Sequence, residues 1–90
     1  METSDLRLDG NAIGGLMIDL FGIEMTMATT VCGTCGATEP LARLEVYVHA
    51  PGTVVRCATC KSVLMRIVRG PDRTWLELSG LRCLELPSVD

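Results

Sequence analysis

The sequence predicts a small, metal-stabilised, mainly-β domain: an antiparallel sheet preceded by one short helix. Three observations predict it. Two Cys-x-x-Cys pairs, Cys32-Gly33-Thr34-Cys35 and Cys57-Ala58-Thr59-Cys60, enclose positions 36–56. Short alternating or β-branched runs follow both pairs, separated by Gly- and Pro-containing turns. The 90 residues include only three aromatics, Phe21, Tyr47 and Trp75. A chain of this length buries roughly 60% of its unfolded surface, and large aromatic side chains usually supply much of such a core. A structural metal ion would fill the gap, because its binding energy, roughly 10–16 kcal/mol in small peptides, counts as folding energy.

The elements follow in order. Positions 1–7 form a frayed start, and the whole chain, 1–90, reads as one domain. Asp9, in Leu8-Asp9-Gly10-Asn11, is placed to cap a helix over 9–22. Ile13, Leu16, Met17, Leu20 and Phe21 recur at the spacing of one helical face. Gly14 and Gly15 weaken this helix by about 1 kcal/mol each, so it must dock on the sheet. Gly22 is suited to ending it.

Positions 23–86 read as the sheet, of four to five strands. Residues 23–27 alternate and suggest a first short strand. In positions 41–49, Leu44, Val46 and Val48 share one face, with Arg43, Glu45, Tyr47 and His49 on the other. Ala50-Pro51-Gly52-Thr53 reads as a type II turn, after which residues 54–56 return into the second cysteine pair. Further strands are predicted over 63–69, 74–78, with Leu76 and Leu78 inward, and 81–86.

Four thiolates at this spacing can close a tetrahedron around one ion. Cys32, Cys35, Cys57 and Cys60 are the predicted ligands, and one structural Zn²⁺ is the predicted metal. Zinc imposes no geometry of its own and accepts four sulfurs. Iron in a rubredoxin-like site would use the same four sulfurs, but the chain lacks an aromatic-rich core to shield it. A thiol redox site would want a cysteine pair at a helix N-terminus, whereas strands follow both pairs here. A closed four-sulfur shell leaves no open position for catalysis, and the chain carries no Ser/His/Asp grouping or glycine-rich phosphate loop. The expectation is a protein that is not an enzyme. Cys83 reads as a buried strand residue and His49, the only histidine, as a surface residue.

The net charge of −3 and the absence of a basic run disfavour a nucleic-acid surface. That alternative would need Arg66, Arg69, Arg73 and Arg82 on one side of the molecule. Hydrophobic residues make up 48% of the chain, more than so small a core can hide. An apolar surface for a protein partner or a homodimer is therefore expected. The acidic start and the interrupted apolar stretch at 12–23, which contains Asp19, match neither a signal peptide nor a membrane span. The cytoplasm is the expected compartment, where paired cysteines read as metal sites.

Several of these segments together carry a resemblance. Leu8-Asp9-Gly10-Asn11-Ala12, Phe21-Gly22, Cys32-x-x-Cys35-Gly36, Tyr47-Val48-x-Ala50-Pro51-Gly52 and Arg56-Cys57-x-x-Cys60 are similar to a small bacterial family described only as a domain of unknown function. The similarity covers positions 6–86. It implies a zinc-ribbon-like cytoplasmic protein with no established activity, and an oxidoreductase among its candidate partners.

Three functional readings follow. The first is a structural-zinc protein acting as a non-enzymatic accessory or adaptor module for a protein partner. The second is a rubredoxin-like electron carrier or thiol redox protein. The third is a nucleic-acid-binding zinc ribbon.

Overall fold

A computed structural model describes residues 8–49 and 52–87. It is mainly β, with one short helix, eight strands among the described residues, and four clustered cysteines. The strands are β1 (Leu8–Asp9), β2 (Thr29–Cys32), β3 (Thr38–Pro40), β4 (Glu45–His49), β5 (Gly52–Arg56), β6 (Val63–Arg69), β7 (Thr74–Glu77) and β8 (Leu81–Glu85). They form two antiparallel sheets rather than the single one expected. The larger runs β1-β4-β5-β6-β7 and the smaller runs β3-β2-β8.

Asp9 caps the N-terminal turn as expected, its Oδ1 accepting from Asn11 N–H at 3.1 Å. The capped element is a 3-10 turn, Gly10–Ile13, and the helix proper, α1, is Gly14–Phe21. Gly10 has a second role that its sequence context hides. A Cβ there would lie 1.8 Å from the carbonyl oxygen of Leu41, so the backbones meet too closely for any side chain. Gly22 ends α1 in the left-handed conformation, its N–H donating to Ile18 O at 2.7 Å.

Ile13 and Met17 are buried, and Leu16, Leu20 and Phe21 pack partly buried beside them. Their neighbours include Val46, Val55 and Met65, which lie opposite one another across β4, β5 and β6. Asp19 of α1 reaches Arg69 of β6 at 3.7 Å. The predicted helix stripe and sheet face therefore meet. Met17, Met25 and Met65 fill the core, whereas Met27 is 71% exposed.

Four expectations need correction. Residues 23–27 form no strand. The Glu24 carboxylate accepts from Thr26 N–H and Oγ1, and Ala28 N–H donates to Met25 O, so the segment spends its donors locally. Leu76 shares a side with buried Ile67 but is 39% exposed, because β7 is the last strand of its sheet. Cys83 lies in β8 but is exposed, since it shares the outer side of the small sheet with Val31. The hairpin of β4 and β5 pairs His49 with Gly52, putting Gly52 inside the return strand. The predicted turn around Pro51 and the frayed start at 1–7 fall outside the described residues.

No described helix is long and apolar enough to cross a membrane.

Candidate metal centre

Each cysteine pair sits in the turn of its own hairpin. Cys32 ends β2, and the chain turns through Cys35 into β3. Cys57 follows β5, and the chain turns through Cys60 into β6. A register irregularity precedes each turn, at Val31/Cys32 and at Val55/Arg56. The leading cysteines face inward by the two-residue alternation of their strands, Cys32 on the buried side of Thr30 and Cys57 on the buried side of Thr53 and Val55. Cys32 and Cys57 are buried, while Cys35 is exposed and Cys60 half-buried.

The two turns repeat one another bond for bond. Cys32 N–H donates to Ala37 O at 2.9 Å, and Cys57 N–H donates to Ser62 O at 2.9 Å. Gly36 N–H donates to Cys32 O, and Lys61 N–H donates to Cys57 O, both at 3.0 Å. The residue after each second cysteine is left-handed, with φ of 78° at Gly36 and 69° at Lys61. The N–H groups of Thr34 and Cys35 aim at Cys32 Sγ from 3.3 and 3.4 Å. Those of Thr59 and Cys60 aim at Cys57 Sγ, each from 3.4 Å. Backbone donors so placed offset the charge of a thiolate.

The four sulfurs lie within 4.8 Å of one another. The pairs that cross between turns, Cys32 with Cys60 and Cys35 with Cys57, are each 3.7 Å apart. Bonds of about 2.3 Å to one tetrahedral centre put sulfurs about 3.8 Å apart, so the cluster matches a four-sulfur metal shell. A disulfide, at about 2.05 Å, does not fit these separations. The donor set and its spacing therefore suit a metal ion, and all four sequence-predicted residues come together.

The surroundings bias the sulfurs unequally. The hydroxyl of Ser62, 3.3 Å from Cys60 Sγ, leads the groups that hold that thiol down to about 6, with the Ser62 N–H next. The Cys35 N–H, with help from Thr34 N–H, lowers Cys32 against the opposing effect of burial. Ala37 N–H also lowers Cys35, but desolvation and the three neighbouring sulfurs outweigh it and push Cys35 up to about 11.

Two residues of this centre escaped the sequence reading, Ser62 and Lys61. Aligning the two pairs would have exposed both, since Cys60-Lys61-Ser62 then lies over Cys35-Gly36-Ala37. The Lys61 ammonium folds back onto Ala58 O at 3.2 Å and contacts the Glu45 carboxylate. His49 stands exposed at the end of β4, the end opposite the cysteine turn that leaves β5. The arginines of the nucleic-acid alternative are dispersed. Arg66 and Arg69 are three apart in one strand and point to opposite sides, while Arg82 belongs to the other sheet. Arg66, Arg69 and Arg73 each neighbour an acid, namely Glu77, Asp19 and Asp72.

Comparison with known proteins adds the family and nothing on activity. A model described as a family of unknown function (DUF6510) matches residues 2–89, and the chain belongs to that family. No curated protein and no solved structure matches it.

Proposed function

We propose that this family member is a structural-zinc protein that works as a non-enzymatic accessory module for a protein partner. The observation that carries the metal half is the pair of matching turns that put four sulfurs at tetrahedral spacing. Cys32, Cys35, Cys57 and Cys60 would hold the ion, and four sulfurs complete its shell without water or substrate. Bound there, zinc supplies cross-linking rather than chemistry. It ties the β2–β3 hairpin to the β5–β6 hairpin, and hence the small sheet to the large one.

The partner half rests on surface composition. Ile18, Met27, Val68, Trp75, Leu76 and Leu86 are large apolar side chains left exposed in a small chain. An electron-carrier role finds less support. Among the described residues the fully buried core contains no aromatic side chain, with Phe21 packed partly buried against it, whereas the electron-carrier reading wants an aromatic-rich core.

Native mass spectrometry tests the metal half. One zinc per chain, with colourless protein, is the predicted result; an iron-loaded red protein contradicts it. A pull-down with the zinc-loaded protein tests the partner half, which predicts retention of a stoichiometric protein partner or of a second copy.

A further inference from the structure

We infer that the free edge of β7 pairs with the β7 edge of a second copy, joining two large sheets into one across a two-fold axis. This deepens the accessory-module reading by naming a partner, and it requires only the folded domain.

The backbone sets the geometry. Gly70 N–H donates to Arg73 O at 2.8 Å, so the main-chain groups of Arg73 face β6. In an antiparallel ladder the direction alternates from residue to residue. Trp75 and Glu77 therefore also bond toward β6, opposite Val68 and Arg66. Thr74 and Leu76 direct their N–H and C=O groups away from the sheet, and among the described residues no strand lies beyond them. All four residues of β7 are exposed. An unpaired edge without Pro or Lys, carrying Trp and Leu, is a ready template for another strand.

Self-pairing has one register that satisfies backbone and side chains together. Centred on Trp75, it sets Thr74 opposite the second copy's Leu76, and Leu76 opposite the second copy's Thr74. These are the residues with outward main-chain groups, so both form hydrogen-bonded pairs. Trp75 then faces the second copy's Trp75 at a non-hydrogen-bonded pair, where side chains lie closest and aromatic pairs contribute most. Arg73 falls opposite the second copy's Glu77, and Glu77 opposite the second copy's Arg73. The edge is thus complementary to itself in charge, twice over. Trp75 is 54% exposed, and its ring lies over Gly70, where a Cβ would sit 3.0 Å from the ring, so it stands ready on that side of the sheet. An edge this short belongs to the weak, dissociable class of contacts.

Sedimentation equilibrium of the zinc-loaded chain, from micromolar to near-millimolar concentration, tests the inference. The prediction is a monomer–dimer equilibrium, with Trp75 fluorescence shifting to the blue as the dimer forms. Arg73→Glu and Glu77→Arg each turn two attractions into two repulsions, and each should raise the dissociation constant by about tenfold or more. An equimolar mixture of the two variants restores both attractions, so it should form a heterodimer while neither does alone. Recovery in the mixture also shows that both variants are folded. Thr74→Pro removes an outward N–H and should likewise leave a monomer. A chain that is monomeric throughout overturns the inference, even if it retains one zinc and the metal reading stands. A dimer indifferent to the variants, or a mixture that fails to recover, overturns it as well.

Discussion

Lys61 occupies in the second cysteine turn the place that Gly36 occupies in the first, with φ of 69° against 78°. The two positions donate equivalent hydrogen bonds, from Lys61 N–H to Cys57 O and from Gly36 N–H to Cys32 O. A left-handed residue at this point closes the turn so that the second sulfur swings toward the first. Glycine adopts that conformation freely, whereas a side chain resists it.

The two sites should therefore tolerate exchange of a side chain for glycine unequally. Gly36→Ala should cost about 1 kcal/mol, because the added Cβ meets nothing within 4 Å and only the backbone conformation is penalised. Lys61→Gly should be close to neutral, since relief of the same strain offsets a half-exposed ion pair with Glu45. Lys61→Ala loses the pair and keeps the strain, so it should fall below Lys61→Gly by about 1 kcal/mol. Urea melts of the zinc-loaded variants give the ranking.

Gly10→Ala should be far more damaging than Gly36→Ala. Its Cβ would lie 1.8 Å from Leu41 O and 2.6 Å from Leu41 C, both backbone atoms that no rotamer change can move. A loss of about 3 kcal/mol or more is expected. The circular-dichroism melt of this variant checks it, and a midpoint equal to the parent's would show that the two turns do not approach as described.

Acid should release the metal, and Ser62 should set where. Cys60 is held down to about 6 from the ordinary thiol value of 9.0, chiefly by the Ser62 hydroxyl. A lowered thiol favours the folded state above pH 9.0, and that contribution disappears as pH falls through about 6. Ser62→Ala removes the leading cause, so its zinc should leave at a higher pH than the parent's. A chromophoric zinc indicator followed during acid titration reads the two midpoints, and coincident midpoints would remove Ser62 from the account.

Cys57→Ser should unfold the chain or drive it to aggregate. It takes away a buried sulfur that is bonded to two backbone N–H groups and lies 3.7 Å from Cys35 Sγ. Cys83→Ala should be nearly silent, within about 0.5 kcal/mol, because Cys83 is exposed. A normal cooperative melt in Cys57→Ser would count against a structural ion.

The legible parts of this molecule were those with local chemistry or strong periodicity. The four cysteines announced their cluster by spacing alone, and Asp9 and Gly22 marked the ends of the helical segment. The β-branched run of β6 and the alternation of β4 were readable for the same reason. By contrast, β1 and β3 have two and three residues, too few for any period to register. The run at 23–27 has the alternation of a strand, but Glu24 captures Thr26 and turns the chain instead. Cys83 and Leu76 looked inward because sequence cannot tell an edge strand or an outer sheet side from an inner one. The division into two sheets was invisible because it depends on long-range pairing, such as Val31 with Cys83. Ser62 and Lys61 went unnoticed because their roles appear only when the two turns are laid over each other.

The most direct measurement is a thermal melt of the chain before chelation, after chelation under reducing conditions, and after zinc is returned. Zinc tying Cys32 and Cys35 to Cys57 and Cys60 predicts that chelation abolishes the cooperative transition and that one equivalent of zinc restores it. Metal-free protein that melts cooperatively at an undiminished temperature would contradict it.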